Sequence, residues 1–244
     1  MELNVSGAVV DRNETAEEAP ESVDSLAEEK VKVDFIYEEK PVYDFIKRVF
    51  DIFFSVLALI VLCPLFIIIS VVIMIHDRNL KPFFIQNRCG KNGKQFKFYK
   101  FRTMCVDAES KLEQLQEKNE MDGPVFKITE DPRITKIGKV LRATGIDELP
   151  QLWNILKGDM SVVGNRPLPL YEAEKLTSDD SIDRFMAPAG LTGLWQVEKR
   201  GDSGKLSADE RKQLDITYGQ TYNFILDMKI IFKTLTAFIQ KDDV

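Results

Sequence analysis

Histidine is almost missing from this chain: there is one, His76, beside the end of an apolar run. Its scarcity excludes Ser-His-Asp and Cys-His catalysis and the paired-histidine zinc sites of the HExxH type. Cysteine is scarce too. Cys63, Cys89 and Cys105 are odd in number and lack metal-ligand spacing, which speaks for a reducing compartment and against a disulfide framework. Acid–base or nucleophilic work must fall largely to carboxylates, lysines or hydroxyls. Internal repeats are lacking as well.

Formal charge is lacking from one stretch, residues 52–75, which is 24 residues rich in Leu, Ile, Val and Phe. As a straight helix it is about 36 Å long, enough for a hydrocarbon core of about 30 Å. It begins too late for a signal peptide and lacks a small-residue cleavage pattern. Membrane insertion is the reading. Pro64, near the middle, removes a backbone donor and clashes with the Ile60 carbonyl, so a kink is expected there. Each half is then about 18 Å, too short to cross alone. A bent helix that re-enters and leaves by the same face fits these lengths; a kinked spanning helix fits them too. Under either topology, the basic residues that follow (Arg78, Lys81, Arg88, Lys91, Lys94, Lys97, Lys100, Arg102) put the downstream part in the cytoplasm.

What charge there is lies unevenly. Residues 1–46 hold thirteen Asp/Glu against four Lys/Arg, whereas the remainder has 29 basic and 26 acidic side chains. The first 46 residues read as an acidic, disordered tail, residues 47–78 as the membrane-inserted, Pro-broken helix, and residues 79–244 as a catalytic domain. Within that domain, residues 82–88 and 95–102 read as two strands joined around Gly90-Lys-Asn-Gly93. This turn lacks the Walker spacing and is not a P-loop. Residues 108–120 read as a charged helix, 121–133 as loop, about 148–156 as a helix, and 221–240 as a terminal helix. The last carries Phe224, Ile225, Met228, Ile231, Phe232, Leu235, Phe238 and Ile239 at helical spacing, a stripe that suits either the core or a membrane interface.

Asp147 and Glu148 stand side by side where a helix is expected to begin, with Arg142 before them and Arg166 in a turn after the helix. A carboxylate there is held as the anion by the helix dipole and unpaired N–H groups. It can act as nucleophile or hold Mg²⁺, while arginines grip phosphate oxygens. Acidic residues in a first turn with Pro150 close behind are also ordinary helix-start grammar. Context decides between the two.

Ordered motifs supply that context. Lys47-Arg48-Val-Phe-Asp51, the segment broken at Cys63-Pro64, Gln86-Asn-Arg88 and Tyr99-Lys100-Phe-Arg102-Thr-Met104 come first. Ile137-Gly-Lys-Val-Leu-Arg142, Asp147-Glu-Leu-Pro-Gln-Leu-Trp-Asn154 and Lys157-Gly-Asp-Met-Ser161 follow. Gly190-Leu-Thr-Gly-Leu-Trp-Gln-Val197, Leu214-Asp215-Ile-Thr-Tyr218 and Leu226-Asp-Met-Lys229 complete the set. In this order, from about residue 47 to the end, the chain resembles the bacterial sugar transferase family, the monotopic phosphoglycosyl transferases of polysaccharide and glycoconjugate assembly.

The resemblance implies an α+β fold: a membrane-embedded, re-entrant helix and a mostly helical cytoplasmic catalytic domain with a small β-hairpin and interfacial amphipathic helices. It implies transfer of a sugar-1-phosphate from a UDP-sugar to a polyprenyl (undecaprenyl) phosphate at the bacterial inner membrane, with UMP released. Asp147 would be the nucleophile of a covalent phosphosugar intermediate, and Glu148 would help it hold Mg²⁺. Lys100, Arg142 and Arg166 would bind phosphates, with Arg102, Asp215 and Gln196 as further substrate-binding residues. The bilayer is an expected partner, a homodimer is compatible, and no nucleic-acid partner is expected. The usual Ser-Pro helix break is Cys63-Pro64 here, and the usual Gly-Pro-Arg-Pro turn is Gly164-Asn165-Arg166-Pro167. Two other readings differ in product: a membrane-anchored scaffold without turnover, and a glycosyltransferase that releases UDP.

Overall fold

The computed structural model describes residues 40–76, 81–108, 110, 111, 115, 128, 131–177, 182–201 and 206–239. Helix α1 (Pro41–His76) takes Pro41 at its first position and Asp44 in its first turn, as helix starts favour. It begins before residue 47, where the sequence placed the membrane segment, and its assignment runs through Pro64 without interruption. It is long and apolar enough to cross a membrane.

Two sets of residues on α1 are buried. Lys47, Asp51 and Ser55 recur every fourth residue on one face near its start; Ile69 and Ile73 do so near its end. Between and around them, Phe53, Ile60, Val61, Ile67 and Ile68 are exposed.

Strands β1 (Phe83–Cys89) and β2 (Gln95–Phe101) form the expected antiparallel hairpin, with Phe83 opposite Phe101 and Cys89 opposite Gln95. Its connection turns through a 3₁₀ segment in which Asn92 (φ 55°) and Gly93 (φ 72°) take the left-handed conformation. Strand β2 divides two apolar clusters. Phe96 and Phe98 enter the main core, with Leu152, Ile155, Val163, Tyr218, Tyr222 and Ile230. Phe101 enters a second cluster with Leu141 and with Ile69 and Ile73 of α1. That division explains the strand's imperfect alternation, since both faces are partly covered by apolar neighbours.

Helix α2 (Lys136–Thr144) is capped by the Thr135 hydroxyl, which accepts from Gly138 N at 2.9 Å. Gly138 lies against the Thr103 backbone so closely that a Cβ would stand 2.0 Å from its carbonyl oxygen. Gly145 (φ 69°) ends α2, a 3₁₀ turn follows over Ile146–Glu148, and α3 (Gln151–Lys157) starts after Pro150. The Asp-Glu pair therefore sits in a 3₁₀ turn, not in the first turn of the α-helix as expected. The left-handed glycine stops one helix just before the pair, and bonds from Glu148 N to Gly145 O and from Leu149 N to Ile146 O wind the chain tightly.

Beyond α3, β3 (Ser161–Val163) pairs in parallel with β5 (Gly190–Thr192), and β4 (Leu168–Pro169) joins the free edge of β1. Helices α4 (Leu170–Thr177) and α5 (Leu194–Gly201) follow their strands. Helix α6 (Ala208–Thr221) opens on a capping box of Ser207 and Glu210. The expected terminal helix is instead the end of α6 and a separate helix α7 (Phe224–Ile239). The extended backbone of Tyr222 breaks them, and the Asn223 side chain accepts from Leu226 N to start α7. Its expected stripe is not the core face: Phe224, Ile225, Phe232 and Leu235 are exposed and Met228 and Ile231 half-buried, while Asp227 and Ile230 are buried. The expected helix over 108–120 and loop over 121–133 fall largely outside the described residues, as does most of the acidic tail.

The helix that carries the apolar run is thus built into the domain. Arg48 donates to the Ile155 and Leu156 carbonyls at 2.6 and 2.8 Å, closing the C-terminal end of α3. Asp51 accepts from Val162 N and from the Ser161 hydroxyl.

Candidate active site

Lys100 lies on the same face of β2 as Phe96 and Phe98, two residues beyond the latter, so its stem follows the core and its ammonium emerges at the 3₁₀ turn. There Lys100 Nζ is 2.6 Å from Glu148 Oε1 and 3.9 Å from Asp147 Oδ2. Arg166, after β3, brings its guanidinium to 3.6 Å from the same Glu148 oxygen. Two acids and two bases that are far apart in sequence meet at one point. They line a cavity of about 1500 Å³, together with Arg142, Arg102, Asp215 and Gln196. Arg142 is anchored by the Thr103 hydroxyl at 2.9 Å. Arg102 stands at the cavity wall, with its Nε on the Lys81 carbonyl and its guanidinium 5.7 Å from the Phe84 ring. Cys63 and Pro64 lie on exposed positions of α1, away from this cavity.

The two carboxylates are driven apart. Burial raises the pKa of Asp147, against the pull of Lys100, and the adjacent Glu148 charge raises it further. Burial also acts on Glu148, but Lys100 and Arg166 outweigh it and hold that carboxyl at about 2. Stabilisation by a helix terminus, expected from sequence, gives way at Glu148 to stabilisation by side-chain cations, whereas at Asp147 burial outweighs the cations and disfavours the anion. Divergent carboxyls of this kind suit different roles for the two members of a pair. Burial lowers the Lys100 ammonium, while Glu148 opposes the shift.

Several residues at the site carried no assigned role in the sequence. Arg88 is buried, with its guanidinium 4.1 Å from the Phe98 ring and Nη1 donating to the Pro167 carbonyl at 2.9 Å. It thereby fixes the turn that carries Arg166. Burial and the neighbouring Arg166 lower its pKa to about 10. Its place in the Gln86-Asn-Arg88 motif was the one available signal. Arg133, held by both oxygens of Asp131, and Arg184, held by Asp215, line the same cavity. No periodicity announces either, because both lie outside regular strands and α-helices.

Cations outnumber carboxylates on the lining of this cavity, and charge-assisted hydrogen bonds of that kind suit phosphate oxygens. A family model described as bacterial sugar transferase matches residues 42–241. The galactosyl transferase CpsE of Streptococcus agalactiae serotype III (strain NEM316) is 44% identical over 189 residues, covering 78% of this chain and 41% of that protein. The undecaprenyl-phosphate galactose phosphotransferase of Salmonella typhimurium is 39% identical over 207 residues, covering 81% and 41%. The exopolysaccharide production protein ExoY of Sinorhizobium fredii is 38% identical over 196 residues, covering 78% and 84%. The chain thus spans less than half the length of the first two relatives and most of the third. With its described core, its Asp-Glu site and nearly all of residues 41–244 inside the match, the chain belongs to the bacterial sugar transferase family.

Proposed function

We propose that the protein transfers a sugar-1-phosphate from a UDP-sugar to a polyprenyl phosphate such as undecaprenyl phosphate. Asp147 attacks the β-phosphorus; the bond from that phosphorus to the bridging oxygen breaks, and UMP leaves. A phosphate oxygen of the polyprenyl acceptor then attacks the same phosphorus and displaces Asp147, giving the polyprenyl diphosphate sugar. One observation carries this reading: an ionisable Asp147 beside Glu148, with Lys100 and Arg166 converging on the pair in a basic cavity. Attack by an anion on a diphosphate meets like-charge repulsion, and convergent cations offset it where charge accumulates. A covalent intermediate also lets two anionic substrates use one cavity in turn.

A Mg²⁺ ion fits the donor set. Asp147 and Glu148 offer carboxylate oxygens, and Mg²⁺ is commonly bound by one or two carboxylates with substrate phosphates completing its shell. Among the described residues no larger cluster of metal-ligating side chains competes for it. When bound, the ion supplies charge neutralisation at the phosphates. Lys100, Arg88 and Arg166 supply the remaining positive charge, and Arg142 faces the carboxylates from α2.

The setting is a membrane surface. Residues near both ends of α1 are buried in the same domain: Lys47, Asp51 and Ser55 at one end, Ile69 and Ile73 with Phe101 and Leu141 at the other. That favours a helix entering and leaving by one face, with the domain in the cytoplasm of a bacterial cell and the site within reach of a lipid-borne phosphate. Relatives named as lipid carrier and undecaprenyl-phosphate transferases support association with a membrane.

The test is nucleotide release by purified, detergent-solubilised protein supplied with a panel of UDP-sugars, undecaprenyl phosphate and Mg²⁺, beside Asp147→Asn. UMP formed by the parent and lost in the variant is the expected result. UDP in place of UMP overturns the reaction class.

A further inference from the structure

Three buried polar atoms on the cavity lining have no partner: Asp215 Oδ1 and Arg184 Nε, which belong to one ion pair, and Gln196 Oε1. All three residues line the cavity that holds Asp147 and Glu148. Asp215 is 1% exposed and Arg184 is 6% exposed, so these groups are well removed from bulk water. Buried polar atoms are ordinarily satisfied, and exceptions ask for an explanation.

The corner is built, not incidental. Arg184 Nη2 meets Asp215 Oδ2 at 2.5 Å, which leaves the second carboxylate oxygen and the guanidinium Nε uncommitted. Asn165 Nδ2 donates to the Arg184 and the Asp215 backbone carbonyls, each at 2.8 Å, and so holds the two segments together. The next residue, Arg166, turns the other way to Glu148. Adjacent residues of one turn therefore join this corner to the phosphate end of the cavity.

The pattern of free atoms selects a chemistry. Two are acceptors, the carboxylate and amide oxygens; one is a donor. A phosphate brings acceptors alone and would be repelled by the free Asp215 oxygen. Hydroxyls bring both kinds, and a neighbouring pair of them matches two acceptors and one donor. We propose that Asp215, Gln196 and Arg184 bind a hydroxyl pair on a ring of the nucleotide sugar. This corner reads the uncharged part of the donor, while Lys100, Arg88 and Arg166 hold its phosphates. The proposal rests on the sugar-phosphate transfer reading. Sugar and ribose both carry such pairs, and the experiment separates them.

Parent, Gln196→Ala and Asp215→Asn are assayed for UMP release with the accepted UDP-sugar and with monodeoxy analogues altered in the sugar or in the ribose. Thermal unfolding of each protein is followed in parallel, and Gln196→Ala preserves the Arg184–Asp215 pair should Asp215→Asn fail to fold. The parent is expected to prefer the full donor over one analogue by about 10- to 100-fold in kcat/KM, as for a hydrogen bond to a charged group. Each folded variant should lower the full donor by that factor and leave the same analogue unchanged. Insensitivity of a deoxy-sugar donor assigns the corner to the sugar; insensitivity of a deoxyribose donor assigns it to the nucleoside. Equal losses on every donor, in a parent that does release UMP, overturn the subsite alone. A parent that releases no UMP from any donor overturns the transfer reading, and the subsite with it.

Discussion

Lys47 Nζ lies 2.5 Å from Asp227 Oδ2, joining the start of α1 to α7 through a buried ion pair. The same carboxylate accepts from the Tyr43 hydroxyl at 2.6 Å and the Tyr218 hydroxyl at 2.8 Å. Breaking a buried pair from one side leaves an uncompensated charge and costs about 3–5 kcal/mol. Lys47→Met is expected to lower stability by that order, and Tyr43→Phe, which removes one donor to the carboxylate, by about 1.5–3 kcal/mol. Chemical unfolding in detergent measures both. Equal stability of parent and Lys47→Met would show that the pair does not hold α1 to the domain.

Asp147→Asn should abolish UMP release without loss of stability. Burial already disfavours the ionised carboxylate at this position, so a neutral side chain of the same shape relieves that cost. Nucleotide assay and melting curve on one preparation decide it. A variant that is inactive because it is unfolded would contradict the expectation.

Arg88→Lys is not a conservative change here. The guanidinium stacks on Phe98 and donates to Pro167 O beside Arg166, and an ammonium cannot reproduce a planar stack and a directed bond together. Loss of about 10- to 100-fold in kcat/KM for the UDP-sugar is expected, of the size of one or two charge-assisted bonds. Rates against donor concentration give the value. Near-parent kinetics would confine Arg88 to charge alone.

Asp215 makes a pH-dependent contribution. Burial pushes its carboxyl up to about 7, against the opposing pull of Arg184. Between the ordinary carboxylate range and about 7 the native state then binds the proton more tightly than the unfolded chain. The group's contribution therefore falls as pH rises through that window. Relative to the parent, Asp215→Asn should gain stability between about pH 4 and pH 7 and level off above. Unfolding midpoints across that range test the sign; a gap that widens toward acid would reverse it.

Two of the three thiols should be protected for different reasons. Cys89 is buried, and burial pushes its thiol up to about 11, so it should resist alkylation in the folded protein. Cys63 is exposed on α1. In lipid nanodiscs it should resist a charged maleimide that cannot enter the bilayer and become labelled once the protein is denatured, and mass spectrometry of the labelled peptides reads the result. Rapid labelling of Cys63 by the charged reagent would place that part of α1 in water.

The hairpin was legible because its signals are local: two aromatic-rich runs and the Gly90–Gly93 turn lie within twenty residues. The Asp147-Glu148 pair was legible as chemistry but not as geometry. Pro150 and the acidic residues speak equally for an α-helix start, whereas the turn type depends on the left-handed Gly145. The roles of Arg88 and Arg184 were hidden because each is fixed by a partner far along the chain: Pro167 for one, Asp215 for the other. Lys47 and Arg48 look in the sequence like charges flanking a membrane helix. Their fold roles, with Asp227 and with the end of α3, arise only when segments more than a hundred residues apart meet. Asn165 shows the same limit. It stands where the usual turn has proline, and only the fold shows that its side chain ties together the backbones of Arg184 and Asp215.

The Lys47–Asp227 pair spans 180 positions of sequence, and this sets an order on the making of the protein. The apolar helix leaves the ribosome well before α7, while its polar face still lacks Asp227. Lys47 must wait through the synthesis of the hairpin, the Asp-Glu turn and α6 before its partner exists. Helix α7 thus fastens α1, and a chain released before α7 would hold Lys47 without its counter-charge.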